Sequence, residues 1–300
     1  MKTSTQHAYI RYLEATFAVV VWGASFVATK IVLQETSPVT LVWLRFAMGV
    51  AILGMAVAAR GQFALPTGSE WGYFALLGFL GITFHQWLQS NGLVTAQASN
   101  TAWIVATTPV FMGILGWLLL KEKLDWLAAG GIILAALGVL LVVSRGNLAD
   151  VSFARIGTPG DLLILLSAPN WAVFSILSRR GLQKHPAARM MFYVMSLGWL
   201  FTSVLFFTSQ GFSEIAEITF RGWLGISFLG IFCSGLAYIA WYDALQELPA
   251  SQVGVFLYIE PLVTLFVAAA LLGEAITLAS LLGGGIILLG VYMVNRKTIN

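Results

Sequence analysis

The chain has 300 residues, of which 59% are hydrophobic and 10% charged, and its mean hydropathy is +0.87. Soluble domains average roughly 45–50% apolar and about 25% charged, so the composition excludes a water-soluble fold and describes an integral membrane protein. The net charge of +3 comes from 16 basic and 13 acidic residues dispersed along the chain, which argues against nucleic acid as a partner and leaves the basic residues as markers of membrane topology.

An apolar helix needs about 20 residues to cross a hydrocarbon core of about 30 Å. Ten such runs occur, at 12–33, 38–59, 71–92, 97–119, 125–143, 160–179, 189–208, 221–242, 250–271 and 276–294. All read as helices, because backbone groups in lipid must be paired internally. A barrel strand alternates with period two, whereas the run from Ile132 to Val143 is apolar on every face. Roughly ten residues remain per connection, too few for a fused soluble domain. The first run is too long for a signal-peptide core and reads as a span. The single Cys233 has no cysteine to pair with inside the chain.

Taken in chain order, the spans carry polar and aromatic groups at unusual depths. Trp22 falls near the midpoint of span one, away from the interfaces where belt tryptophans sit, and reads as a cavity wall. Arg45 lies about seven residues inside span two, near ~10 Å deep at ~1.5 Å per residue. It either binds a substrate carboxylate or is structural, snorkelling outward or meeting helix carbonyls. His85, Gln86 and Gln89 form a polar stripe on span three, with Asn100 and Trp103 at similar depth on span four; these read as walls of a water-filled cavity. Small residues at Ala128, Gly131, Ala135 and Gly138 in span five, and Ala279 with Gly283 in span ten, allow close helix approach and mark scaffold helices.

Residues 144–160 form the one long polar connection, with Ser144, Gly146, Asn147, Asp150 and Pro159. Beyond it, Asn170 and Trp171 sit mid-span six and read as cavity walls. Tyr238 in span eight and Tyr258 in span nine shape the inner half of the path. Glu260 lies beside Pro261 near the middle of span nine, where an acidic group costs at least ~2.5 kcal/mol. It reads either as a site for a substrate ammonium or a proton, or as a structural carboxylate pairing with a hydroxyl or with Arg45. Trp71, Trp126, Trp223 and Trp241 fit an interfacial belt.

A shift of 152 residues matches the chain to itself without a gap: Trp71 falls on Trp223, Ala98-Ser99 on Ala250-Ser251, Pro109 on Pro261, Glu122 on Glu274 and Leu137-Gly138-Val139 on Leu289-Gly290-Val291. The expected organisation is a first five-helix repeat over 1–146, a linker over 147–159 and a second repeat over 160–300. Five is odd, so the second copy enters the membrane from the opposite face. The fold class is thus all-α and polytopic, ten transmembrane helices in two inverted five-helix repeats, a plan that places a substrate site where the halves meet. The inversion separates Glu122 from Glu274, which read as residues closing loops after spans four and nine.

Lys2, Arg11, Arg60, Lys121, Lys123, Arg179, Arg180, Lys184, Arg189, Arg296 and Lys297 fall on the side of the N-terminus, against Lys30, Arg145, Arg155 and Arg221 on the other. This bias places both termini in the cytoplasm.

The run Trp22-Gly23-Ala24-Ser25-Phe26, Pro38 followed by Arg45-Phe46, and the twice-used order of Pro, about a dozen apolar residues, Glu, then Leu-Gly-Val resemble the ten-helix EamA branch of the drug/metabolite transporter superfamily. Within it the chain is most similar to the bacterial aromatic amino acid exporters. The resemblance spans nearly the whole chain and implies export of small metabolites across a bacterial inner membrane through a central cavity built from both halves.

The residues themselves argue in the same direction. No H-E-x-x-H, G-x-S-x-G or P-loop pattern occurs, so neither an enzyme nor an ATP-driven pump is expected, and no cofactor or metal. Lipid as cargo and proton antiport of cationic drugs stay open as alternatives. The expected cargo is an amino acid or similar small molecule, with a monomer sufficient for transport in the bilayer.

Overall fold

The computed structural model describes residues 2–120, 126–146, 157–248, 253–254 and 256–299. Glu122 and most of the expected linker lie outside the described residues. The first crossing is α1 (Lys2–Val32) and the second α2 (Pro38–Ala59). The third is a continuous helical run made of α3 (Gly68–Gly78), a π-helical turn at Phe79–Phe84 and α4 (His85–Thr95). The fourth joins α5 (Ala98–Val105) to α6 (Thr108–Leu120), and α7 (Trp126–Val143) is the fifth. The second half repeats the order with α8 (Pro159–Leu182), α9 (Ala187–Phe207) and a short surface helix, α10 (Gly211–Glu217). It continues with α11 (Phe220–Ser227), a π-helical turn at Phe228–Leu236 and α12 (Ala237–Glu247). A 3₁₀ turn at Phe256–Ile259 leads into α13 (Glu260–Leu272), and α14 (Leu278–Ile299) ends the chain. Among the described residues, seven helices are long and apolar enough to cross a membrane, and Phe256–Leu272 and Leu278–Val294 are shorter apolar helices.

Local chemistry sets the helix starts. Pro38 opens α2 behind Ser37, whose Oγ accepts from Thr40 N. Pro159 opens α8 behind Thr158, and there the Asp161 carboxylate accepts from Thr158 N at 2.7 Å while Thr158 Oγ1 accepts from Asp161 N at 3.2 Å. Such reciprocal caps satisfy amides that a helix leaves unpaired, and proline costs nothing at the first helical position.

Bonds between connections show which ends share a face. On one face Arg11, in the first third of α1, pairs with Glu247, at the end of α12, at 2.6 Å. Arg60, after α2, meets the same helix end through a two-point contact with Asp243 at 2.9 and 2.6 Å. There too Glu70 of α3 lies 3.1 Å from His185, between α8 and α9. On the other face Lys30, near the end of α1, donates to Leu93 O and Ala96 O, and Glu35 accepts from Thr219 N at 2.9 Å. Gly160 N, at the start of α8, donates to Thr95 Oγ1 at 3.0 Å on that same face. Helix α1 therefore begins on the face where α8 ends, and the second half runs upside-down relative to the first.

The packing has the matching exchange symmetry. Helix α1 lies along α11, α12 and α13, and α8 lies along α4, α5 and α6. The pairs α2 with α9 and α7 with α14 are each their own counterpart. The α7–α14 pair is close because glycines meet: a methyl on Gly290 would fall 2.5 Å from Gly131 O and 2.6 Å from Ala135 N. Gly290→Ala should therefore push two backbones apart and destabilise by about 1–3 kcal/mol, the usual range for overpacking. A thermal unfolding midpoint in detergent equal to that of the parent protein would contradict this packing.

Glu274, just past α13, caps the start of α5 from the opposite half. Its carboxylate accepts from Ala98 N at 2.8 Å, Ser99 N at 3.0 Å and Ser99 Oγ at 2.6 Å. A carboxylate at a helix N-terminus is stabilising, and here it also ties the fourth crossing to the ninth.

Candidate functional site

A cavity lies between the halves, and helical spacing explains its walls. Trp22, Ser25, Phe26 and Thr29 recur at three- and four-residue intervals along α1 and present one face to it. His85, Gln86, Gln89, Ser90 and Leu93 do the same on α4. The second half supplies Trp171, Tyr238, Trp241, Leu257, Tyr258, Glu260 and Pro261, and α2 supplies Arg45. The floor facing α5 and α6 is small, with Ala102, Val105, Ala106, Thr108 and Pro109.

Most of the residues singled out from the sequence converge here: Trp22, Arg45, His85, Gln86, Gln89, Trp171, Tyr238, Tyr258 and Glu260 all line the cavity. Three do not, each for a visible reason. Trp103 turns towards α14, where its Nε1 donates to Ser280 Oγ at 3.1 Å and its ring covers Gly284. Asn100 shares that flank, three residues earlier on α5, and is buried outside the lining. Asn170 Nδ2 donates to Leu80 O at 2.8 Å, inside the first π-helical turn. Conversely, Trp241 is not a belt residue; it is 7% exposed, lines the cavity and sits 5.3 Å from Trp22 between ring centroids.

The aromatic walls are fixed by their neighbours. The Trp22 indole donates to Cys233 O at 3.0 Å and meets the Tyr238 ring edge-on at 5.7 Å. Cys233 belongs to the second π-helical turn, so each π turn has a carbonyl bonded by the opposite half, Leu80 by Asn170 and Cys233 by Trp22. Extra residues in π turns disturb the regular bonding ladder, and such turns recur at functional sites. Trp171 packs on His85 at 4.6 Å and on Phe174 at 4.8 Å.

Two ionisable side chains face this aromatic chamber. The Arg45 guanidinium is buried and bonds two neutral groups, Ser234 Oγ at 3.0 Å through Nε and Gln86 Oε1 at 3.3 Å through Nη1. It also lies 5.1 Å over the Phe46 ring. It does not pair with Glu260: among the described residues no carboxylate comes within 4.0 Å of it. Glu260 opens α13 with Pro261 behind it, so the proline marks the change from 3₁₀ to α geometry. The Glu260 backbone carbonyl accepts from Thr264 Oγ1 at 3.0 Å. Among the described residues, no hydrogen-bond donor or ion-pair partner meets its carboxylate.

A helical bundle of two antiparallel halves enclosing a polar, aromatic chamber between them is the architecture of a membrane transporter. The EamA-like transporter family model matches residues 11–144 and again 158–296, and the chain belongs to that family. The two matches coincide with the two inverted halves. An uncharacterized transporter of Archaeoglobus fulgidus is 30% identical over 286 residues, covering 95% of this chain and 97% of its own. A probable terminal-alkyne amino-acid exporter of Streptantibioticus cattleyicolor is 25% identical over 282 residues, covering 94% and 92%. A crystal structure at 20% identity superposes with a TM-score of 0.67, covering 96% of this chain and 97% of the other, which shows a shared fold.

Proposed function

We propose that this transporter exports small zwitterionic metabolites, amino acids with aromatic ones among them, by alternating access at the cavity between the halves. The observation that carries the reading is that Arg45 and Glu260 face one aromatic cavity without neutralising each other. Ionisable groups withdrawn from bulk water are normally paired, so a cargo with a carboxylate and an ammonium supplies what both lack. Indole and phenol rings offer stacking and cation–π contact, each worth about 0.5–2 kcal/mol, which suits a weak, broad site. The relative named a probable terminal-alkyne amino-acid exporter supports the cargo class.

The proposed repeat units are residues 1–146 and 160–300, joined by 147–159. With the basic residues concentrated on the face where α1 begins, the reading places both termini in the cytoplasm of a bacterial cell. In this arrangement the halves rock about the fixed site, exposing it to one face and then the other.

Uptake of labelled amino acids, nucleosides and cationic drugs into vesicles containing this protein alone tests the cargo class. Saturable movement of aromatic and other neutral amino acids supports it, and movement confined to nucleosides or permanent cations overturns it. In the same vesicles Trp171→Ala should lower flux of indole-bearing cargo about three- to tenfold, the equivalent of one aromatic contact. Unchanged flux would remove Trp171 from the site.

A further inference from the structure

The Arg45 guanidinium is gripped by one residue from each half: Gln86 on α4 and Ser234 in the π-helical turn that precedes α12. Ser234 has no exposed surface, and its Oγ accepts from Nε at 3.0 Å. A guanidinium offers a carboxylate two parallel forks, one through Nε and Nη2 and one through Nη1 and Nη2. Ser234 occupies the first. Gln86 takes only one of the two Nη1 protons, so the remaining donors lie on Nη1 and Nη2, and Arg45 itself lines the cavity.

Pseudosymmetry shows that this grip is particular to one side of the molecule. Gly49 on α2 presses against Ser234, where an added methyl would lie 2.8 Å from Ser234 Cβ. Across the pseudo-twofold, Gly198 on α9 presses in the same way on Ile82, at 2.5 Å. The residue four before Gly49 is Arg45 and the residue four before Gly198 is Val194. Thus the counterparts of Arg45 and Ser234 are Val194 and Ile82, both apolar and both buried in one hydrophobic cluster, which is sufficient for helix packing. The Arg45–Ser234 pair adds polarity that packing does not need.

We infer that Ser234 and Gln86 are positioning residues which turn the Nη1/Nη2 edge of Arg45 towards the carboxylate of the cargo. The inference rests on the zwitterion reading above. It makes Ser234, which touches no cargo, a determinant of the preference for carboxylate-bearing molecules.

The test measures KM in vesicles of the full chain for tryptophan and for tryptamine, which lacks the carboxylate. Ser234→Ala should raise the ratio of the acid KM to the amine KM about five- to tenfold, less than the full worth of a hydrogen bond to a charged group because Ser234 acts through Arg45. Gln86→Glu, which gives Arg45 a carboxylate of its own, should raise it by more than about tenfold. A ratio within about twofold of the parent value in both variants, including equal rises for acid and amine, overturns the inference. Arg45→Gln separates the two levels. If the ratio responds to Arg45→Gln but to neither Ser234→Ala nor Gln86→Glu, only the positioning role fails. If it ignores Arg45→Gln, or if the unsubstituted protein moves neither compound, the zwitterion reading fails and takes the inference with it. Should Ser234→Ala not fold, Gln86→Glu decides alone.

Discussion

Arg45→Met should lower transport of amino-acid cargo at low concentration about 30-fold or more without lowering the thermal stability of the cargo-free protein. The first effect follows from removing one side of a desolvated charge pair, which costs roughly 2–5 kcal/mol in binding. The second follows from the same burial seen from the empty state. Arg45 is 5% exposed and its hydrogen-bonded partners are neutral. Burying an ion carries a desolvation penalty of several kcal/mol that only a good counter-charge repays. A methionine, shorter than arginine but unbranched and flexible, fills the inner part of the space with apolar atoms, and the loss of two hydrogen bonds, about 1 kcal/mol each, is offset by removal of that penalty. A residue kept for structure would show the reverse signature, in which the unfolding midpoint falls and flux of every cargo falls with it. Parallel scanning fluorimetry and vesicle uptake separate these outcomes.

Glu260→Gln should weaken ammonium-bearing cargo about tenfold or more, since hydrogen bonds to charged groups are worth roughly 1.5–3 kcal/mol. The substitution keeps shape. It leaves untouched the backbone carbonyl that bonds Thr264 and lies against Gly23, so the packing of α13 on α1 survives. The deaminated analogue indole-3-propionate, with a carboxylate and no amine, should respond much less than tryptophan. Together with Arg45→Met this gives a crossed pattern in which each variant loses the cargo group its own charge would meet. Equal loss for tryptophan and for its deaminated analogue would assign Glu260 to the conformational cycle rather than to cargo.

The crossings are legible in the sequence because a bilayer demands long apolar runs; most expected ranges lie within a few residues of the helices, while α1 starts ten residues earlier than expected and α12 runs five residues further. The inverted duplication is legible because Trp, Pro and Glu recur at one offset. Much of the cavity is legible as well, since residues such as Arg45, Gln86 and Glu260 are costly in lipid and must face something polar.

Rotational phase is what the sequence conceals. Asn100 puts a polar group three residues from Trp103 on α5, so both read as one cavity face, although the indole turns to Ser280. The π-helical turns at Phe79–Phe84 and Phe228–Leu236 alter the phase again, and no composition signals them. Asn170 shows the consequence: its amide serves the Leu80 carbonyl in such a turn rather than the chamber. Ser234 escapes notice because a serine in a membrane helix is unremarkable until its neighbour is known to be Arg45. Trp241, three residues after Tyr238, does carry a signal, since that spacing puts both rings on one helical face.

Counterflow in vesicles is the most direct measurement of the central claim, that one two-sided chamber carries zwitterions. Vesicles loaded with unlabelled tryptophan and diluted into a trace of labelled tryptophan should accumulate label transiently above its external concentration. Loading with tryptamine should drive a smaller overshoot, and Arg45→Met should abolish the overshoot with tryptophan. Label that only equilibrates, with no overshoot in vesicles of the unsubstituted protein, would contradict the account.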